Sequence, residues 1–468
     1  QAAADASLPG DTIYVRGGTY ANVLSSSVYL EVIHVTKSGT REAPIRFEAY
    51  PGERVVLTGF GYEDRDLNGD GYADGEKNPS KRETLFLVEA DYIQVKGFEM
   101  ANSQRFGMQV SGNFCYVEEC VAHDNWLTGF LLHHGKTTNP LQGNVFRWLE
   151  GYNNRHGNGS SLSMDSAVLG FSVNNAIVDS LFYRNGYQPN GNKVLPLASD
   201  PAGGGNSDGT GASKYFNDSA TTVDNYGPGN FFVRNILYRN ADDGFDTSVA
   251  DSLVEGNMSI QNGPEGNKGF KMLRNVRGMV YRGNLAYGNN SVGFELRPKT
   301  GTAITVNQNT SLHNVDQGIL GIDANSIVLN NLGAFNGRAD IVGSVASTGS
   351  NWAEDGSYVA ARYSGNPQLQ DDTLELNLGF EAGLSVREKW QFLESQIRSA
   401  LSPKPGSGLI DQGRIIPGYH CPTADDDPVS PMPKSAPGRH WRGQAPDIGA
   451  FEFEPERPVP PSNLRVIK

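Results

Sequence analysis

Four aspartates and a lysine set the chemistry open to this chain. Asp208 precedes Gly209, Asp242 and Asp243 precede Gly244, and Asp246 stands two positions beyond that glycine. Lys268 and Lys271 hold the matching positions around Gly269, one period later. In a parallel stack of such segments, residues sharing a register lie about 4.8 Å apart per layer. Asp208, Asp242, Asp243 and Asp246 then converge, and like charges that close repel unless a cation lies between them. Oxygen donors without a nearby His or Cys select a hard ion, and Ca²⁺ suits a flexible carboxylate-rich site better than Mg²⁺. For one aspartate alone a solvated acidic face would be the better reading; the group of four favours calcium. Lys271 follows Asp246 in the same column. A neighbouring cation disfavours its ammonium form and lowers its pKa from about 10.4, leaving an amine able to abstract a proton.

Such a column requires a repeat. Asn recurs at intervals of five across short apolar strands, as Asn235/Asn240, Asn257/Asn262, Asn284/Asn289, Asn309/Asn314 and Asn331/Asn336. Of 40 asparagines, 33 lie between Asn102 and Asn336, so turns repeat there. The glycines Gly244, Gly269, Gly293 and Gly318 are 25, 24 and 25 residues apart. That is too short for a strand–helix–strand unit of roughly 30 or more residues. The leucine spacing of the competing leucine-rich repeat is absent. The pattern predicts an all-β fold, a right-handed parallel β-helix with coils of about 22–25 residues. Asn suits its turns because it tolerates left-handed backbone geometry and its amide can bond the Asn stacked above.

The 468 residues carry 39 Lys and Arg against 52 Asp and Glu, a net charge of −13, which argues against a nucleic-acid surface. No apolar run approaches the length that spans a bilayer, and no basic, then apolar, leader opens the chain at Gln1. Three cysteines make neither a disulfide framework nor a zinc spacing. Ala2, Ala3, Ala4 and Leu8 read as the tail of a capping helix, followed by strands at Thr12–Val15, Ile45–Phe47 and Val55–Leu57. The rungs run to about Val345. Ser385 and Glu388 have capping-box spacing, and Trp390, Leu393, Ile397 and Leu401 continue with helical period. This short amphipathic helix, about 386–401, is expected to cover an end of the solenoid, with an irregular Pro/Gly-rich segment after it. Asp447–Phe451 reads as a last strand. The β-helix with this extension is expected to span 1–455. Residues 456–468 read as a linker and the opening strand of a fibronectin type III-like module, so the native chain is expected to continue past Lys468.

The motifs in order, Asn206-Ser-Asp208-Gly, Gly227-Pro-Gly-Asn230-Phe, Asn240-Ala-Asp-Asp-Gly-Phe-Asp246 and Gly269-Phe-Lys271, resemble those of the pectate lyases of polysaccharide lyase family 9. The resemblance implies that Asp208, Asp242, Asp243 and Asp246 bind calcium and that Lys271 is the Brønsted base. It further implies β-elimination at a uronic acid in pectate, an acidic plant cell-wall polysaccharide. The enzyme is then expected to be secreted or at the cell surface, bacterial in type and monomeric, with no nucleic-acid or membrane partner. Arg274, Arg297, Lys299 and Lys268 are candidate contacts for substrate carboxylates. The sequence departs from the family at an insertion, Thr210–Tyr226, at Lys268 and at Met272-Leu-Arg274, which bear on the sugar preferred.

A β-helical polygalacturonase would also group aspartates, but its Gly-His-Gly and Arg-x-Lys segments are missing, and His133-His134 lies several coils away. A rhamnogalacturonan lyase of the same family is the alternative within the lyases; a non-catalytic carbohydrate-binding β-helix would not need Lys271. Separately, Asp66, Asn68, Asp70 and Asp74 match the first nine positions of an EF-hand-type loop. Lys77 stands where the closing acid belongs, so a second calcium competes there with an exposed acidic turn.

Overall fold

The computed structural model describes residues 1–63, 75–76, 80–133, 141–155, 162–165, 172–187, 210–212, 229–247, 249–264, 266–298, 300–343, 347–356, 361–376, 378–380, 383–410, 412–414, 421–423, 434–436 and 447–451. Within them, short strands of alternating or fully apolar residues stack into three parallel sheets of twelve strands each. The first sheet runs from Thr12–Val15 to Ser347–Gly349, the second from Gly18–Ala21 to Trp352–Ala353, and the third from Tyr29–Leu30 to Ala339–Gly343. This is a right-handed parallel β-helix with one strand of each sheet in nearly every coil; in the third sheet Tyr29–Leu30 and Ile33–Val35 both pair with Arg82–Val88. The rungs extend past Val345, because Trp352 and Ala353 still pair with Leu332 and Gly333. Thr210–Ala212 also belongs to the stack, pairing with Phe245–Thr247, so those three residues are a rung strand rather than part of an insertion.

Two asparagine ladders flank the second sheet. In one, Asn125, Asn154, Asn185, Asn240, Asn262, Asn289, Asn314 and Asn336 donate Nδ2 to the next Oδ1 at 2.8–3.3 Å. The other links Asn235, Asn257, Asn284, Asn309, Asn331 and Asn351 in the same way. Left-handed geometry is not their reason. The positive φ falls on the residue before the asparagine, for example Arg239, Gln261 and His313. The asparagines are chosen for the amide, which carries donor and acceptor together and so satisfies buried turns coil after coil. Asp340 ends the first ladder, accepting from Asn336 Nδ2 at 2.8 Å and from the Asp355 N–H at 2.9 Å.

α1 (Ala2–Ala6) buries Ala4 in the core at the first coil, as a cap. α2 (Val386–Leu401) begins with the expected capping box and buries Val386, Trp390, Leu393, Ile397 and Leu401. It does not cover an end. Trp390 packs edge-on against Trp148 at 5.6 Å and donates to the Arg234 carbonyl at 2.8 Å, and Lys389 reaches buried Glu150 at 2.6 Å. The helix therefore straps the flank of the second sheet, whose outer face in the coils of Tyr183, Tyr238 and Tyr287 is as apolar as its inner one. A strand apolar on both sides needs two covers, and α2 is the second. Asp447–Phe451 makes no strand; it lies irregularly over the same face, where Gly449 N–H donates to Asn330 and Ala450 N–H to Thr310. Residues 456–468 lie outside the described residues. No helix among the described residues is long and apolar enough to cross a membrane.

Candidate active site

The third sheet carries the chemistry on its outer face. Phe245, Phe270 and Phe294 point inward in one column, fully buried, the last two stacked at 4.6 Å. The next residue of each strand points outward, which places Asp246, Lys271 and Glu295 in register on successive coils, as the spacing predicts. Sequence period alone thus determines which side chains share the groove.

The glycine column has a steric cause. A Cβ on Gly244 would lie 2.0 Å from Ser259 Oγ and 2.7 Å from Asn262 Nδ2. On Gly269 and Gly318 it would lie 2.6 Å from the amides of Asn289 and Asn336. The ladder occupies the space a side chain would need, so the turn into the third sheet is clamped to the ladder just before the outward-facing site residues.

Lys271 Nζ lies 2.9 Å from Asp243 Oδ2 and 2.9 Å from Asp246 Oδ2. Asp243 is fully buried, Asp246 is 7% exposed, and a quarter of the Lys271 side chain is open to solvent. Asp243 Oδ1 accepts from the Lys268 N–H at 2.5 Å, which ties the carboxylate to the next coil. Burial pushes the Asp246 carboxyl above the usual carboxylate range; Lys271 pulls it down and Asp243 pushes it up. Asp246 Oδ1 is buried without a hydrogen-bond partner. Asp242 is half-buried in the turn beside Asp243. Among the described residues no three His, Cys, Asp or Glu side chains form a cation cage.

Glu295 has a partnership that spacing did not announce beyond its place in the column. It is 6% exposed, pairs with Lys268 Nζ at 3.7 Å and with the Arg297 guanidinium, and so gathers two candidate substrate contacts. Arg297 is exposed on the strand Phe294–Pro298. Arg274 lies in the strand Phe270–Val276, with its side chain outside the described part. Asp208, Lys299, Asp66, Asn68, Asp70 and Asp74 also lie outside the described residues. His133 is on an earlier strand of the same sheet, and burial lowers its pKa.

Residues 1–176 match the family model described as "Pel9A-like, right handed beta helix region", a match that ends before the Asp246–Lys271 column. "Pectate lyase PEL9" of Emericella nidulans is 28% identical over 319 residues, covering 65% of this chain and 70% of that protein. "Pectate lyase L" of Dickeya dadantii is 26% identical over 319 residues, covering 65% of this chain and 58% of that protein. The chain thus spans less than two thirds of the second relative. Among solved structures, "Crystal structure of pectate lyase Pel9A" superposes with a TM-score of 0.58 at 22% identity, over 97% of this chain and 90% of that one, and shares the fold. The chain is thus similar in sequence to proteins named pectate lyases, and it shares the right-handed parallel β-helix fold with a solved pectate lyase.

Proposed function

We propose that this chain is a calcium-dependent lyase that cleaves a 1,4-linked uronic-acid polymer, pectate, by β-elimination, with Lys271 as the base. The observation that carries the reading is the lysine itself: Nζ held 2.9 Å from each of two buried aspartates, on an open face of the third sheet. A lysine placed only for solubility would have no reason to stand in an aspartate column. The relatives named pectate lyases support a pectic substrate.

The residues fit calcium. The donors are all oxygen, and a buried Asp246 Oδ1 without a hydrogen-bond partner is an acceptor that a cation would satisfy. Asp242, Asp243 and Asp246 would hold it, joined by Asp208, which precedes Thr210 by two residues as Asp243 precedes Phe245. Bound calcium supplies positive charge against the sugar carboxylate, whose own charge opposes loss of the adjacent proton. Lys271, as a neutral amine, takes the C5 proton. The electron pair left on carbon forms the C4–C5 double bond, the C4–O bond breaks, and the departing oxygen takes up a proton from solvent. Lys268 and Arg297, anchored by Glu295 on the next coil, hold further substrate carboxylates. One chain carries the whole column, so the reading needs no second copy, and a cell-wall substrate places the enzyme outside the cell.

The test follows the ultraviolet absorbance of the unsaturated product on polygalacturonate, rhamnogalacturonan and alginate, with calcium and with chelator. Product from polygalacturonate with calcium alone is expected. Product from rhamnogalacturonan only would transfer the reading to that polymer, and no absorbance gain on any substrate would overturn it.

A further inference from the structure

Beyond the base, the outer face of the third sheet carries an open, shallow cavity of about 420 Å³. Arg297, Leu320, Gly321, Asp323 and Val342 are among the residues that line it. It is in line with the site: Leu320 pairs with Glu295, which pairs with Lys271, and Val342 pairs with Leu320. At about 4.8 Å per coil, Leu320 is roughly 10 Å along the column from Lys271. A bulge shapes the cavity. The register between Gln317–Ile322 and Ala339–Gly343 shifts between Leu320 and Ile322, and Gly321 stands at φ +89°. A Cβ there would lie 2.1 Å from the Leu296 carbonyl oxygen, so only glycine makes this turn.

The near wall is cationic. Glu295 pairs with both Lys268 and Arg297, and the three groups sum to one positive charge. Arg297 keeps 43% of its side chain exposed. At the far side Asp323 is held in its turn by Asn325, whose N–H and Nδ2 donate to Oδ1 at 2.9 and 3.1 Å. Leu320 and Val342 lie between these walls and offer apolar surface to the C–H face of a sugar ring.

We propose that this cavity is a distal subsite for a uronate unit of the polymer, with Arg297 pairing to that unit's carboxylate. A pyranose unit advances the chain by close to one coil, so the unit in the cavity is about two removed from the one that loses its proton. The inference rests on the lyase reading above.

The experiment compares Arg297→Gln, Arg297→Lys and Leu320→Trp on oligogalacturonates from trimer to octamer. Losing a charge-assisted hydrogen bond raises KM for the octamer roughly tenfold to hundredfold in Arg297→Gln, with little change in kcat and a smaller KM ratio for the trimer. Leu320→Trp keeps the charge and fills the cavity, and follows the same length dependence; Arg297→Lys recovers part of the loss. A KM ratio equal for trimer and octamer, or a loss wholly in kcat, overturns the subsite. Calorimetric titration of the octamer separates this from failure of the lyase reading. If Lys271→Ala and Lys271→Ala/Arg297→Gln bind it equally, the subsite falls by itself; if the wild type forms no unsaturated product, the lyase reading falls first.

Discussion

Replacing Lys271 separates its two roles. The ammonium stands 2.9 Å from Asp243 and from Asp246, and both carboxylates are buried. Removing one partner of a buried ion pair costs about 3–5 kcal/mol, and because a quarter of the Lys271 side chain reaches solvent the lower end, about 3 kcal/mol, applies. Lys271→Ala is therefore expected to lose stability in chelator and to regain most of it in calcium, since a cation bound by the native state neutralises the same carboxylates. Its rate should fall roughly 10²–10⁴-fold, as for a positioned general base, in calcium as well. Lys271→Arg is the discriminating variant: it restores a positive charge, and with it stability in chelator, but a guanidinium stays protonated and cannot act as base. Lys268→Ala, which alters the neighbouring Glu295 pair, should lose less rate than Lys271→Ala. Thermal unfolding in calcium and in chelator, with initial rates of unsaturated product, reads all three. Lys271→Arg with activity within tenfold of wild type, or Lys268→Ala inactive while Lys271→Ala turns over, would refute the assignment of the base.

Chelation should abolish activity and Asp243→Ala should weaken calcium binding in titration calorimetry, because one buried carboxylate is lost; full activity in chelator by metal-free protein contradicts this. His123 supplies a pH dependence of stability: burial opposes its charge, but Asp124 at 2.7 Å and Glu99 at 3.1 Å overcome that and raise its pKa to about 9. Its folded pKa lies above the unfolded value of about 6.5, so the stabilisation, of order 2–3 kcal/mol, is complete below pH 6.5 and lost as pH rises towards 9. His123→Phe keeps the ring stacked 4.7 Å from Tyr152 and should flatten that slope in denaturant titrations; an unchanged slope sinks the claim. Asn262→Ala removes the acceptor of both Asn240 N–H and Asn240 Nδ2 and should cost roughly 3 kcal/mol or more, where half-buried Asn290→Ala, which loses one hydrogen bond to the Pro264 carbonyl, should cost about 1 kcal/mol. Equal midpoints for the two would remove the ladder from the energetics.

What could be read from the residues was whatever repeats. The periods of 25 and 24 residues by themselves put Asp246, Lys271 and Glu295 in one column, and Ser385 with Glu388 marks the start of α2. Events that occur once leave no period. The bulge at Gly321 is a single glycine among 56, and nothing in Gly318-Ile-Leu-Gly-Ile322 says that the register will slip there rather than continue. The berth of α2 was equally hidden in its own pattern, since an amphipathic face says that something is covered but not what. The answer lay in the strands, where Ile236-Leu237-Tyr238 and Leu285-Ala286-Tyr287 are apolar at every position and so buried on both sides.

The asparagines and the glycines looked like two signals of one turn, and the physics joins them differently. Asn262, Asn289 and Asn336 hold their amides where the Cβ atoms of Gly244, Gly269 and Gly318 would be, so the glycines are required by the ladder rather than by their own backbone angles. The outward-facing residue two positions later is thereby referenced, coil by coil, to a hydrogen-bonded rail that runs through the buried interior. A general base must sit within a few tenths of an ångström of its proton to act. A rail of buried amides each bonded at 2.8–3.3 Å gives a solenoid that tolerance at its site. The functional column therefore stands on the third sheet next to the ladder turn, while the second sheet, apolar on both faces in the coils of Tyr183, Tyr238 and Tyr287, is left to take the strap.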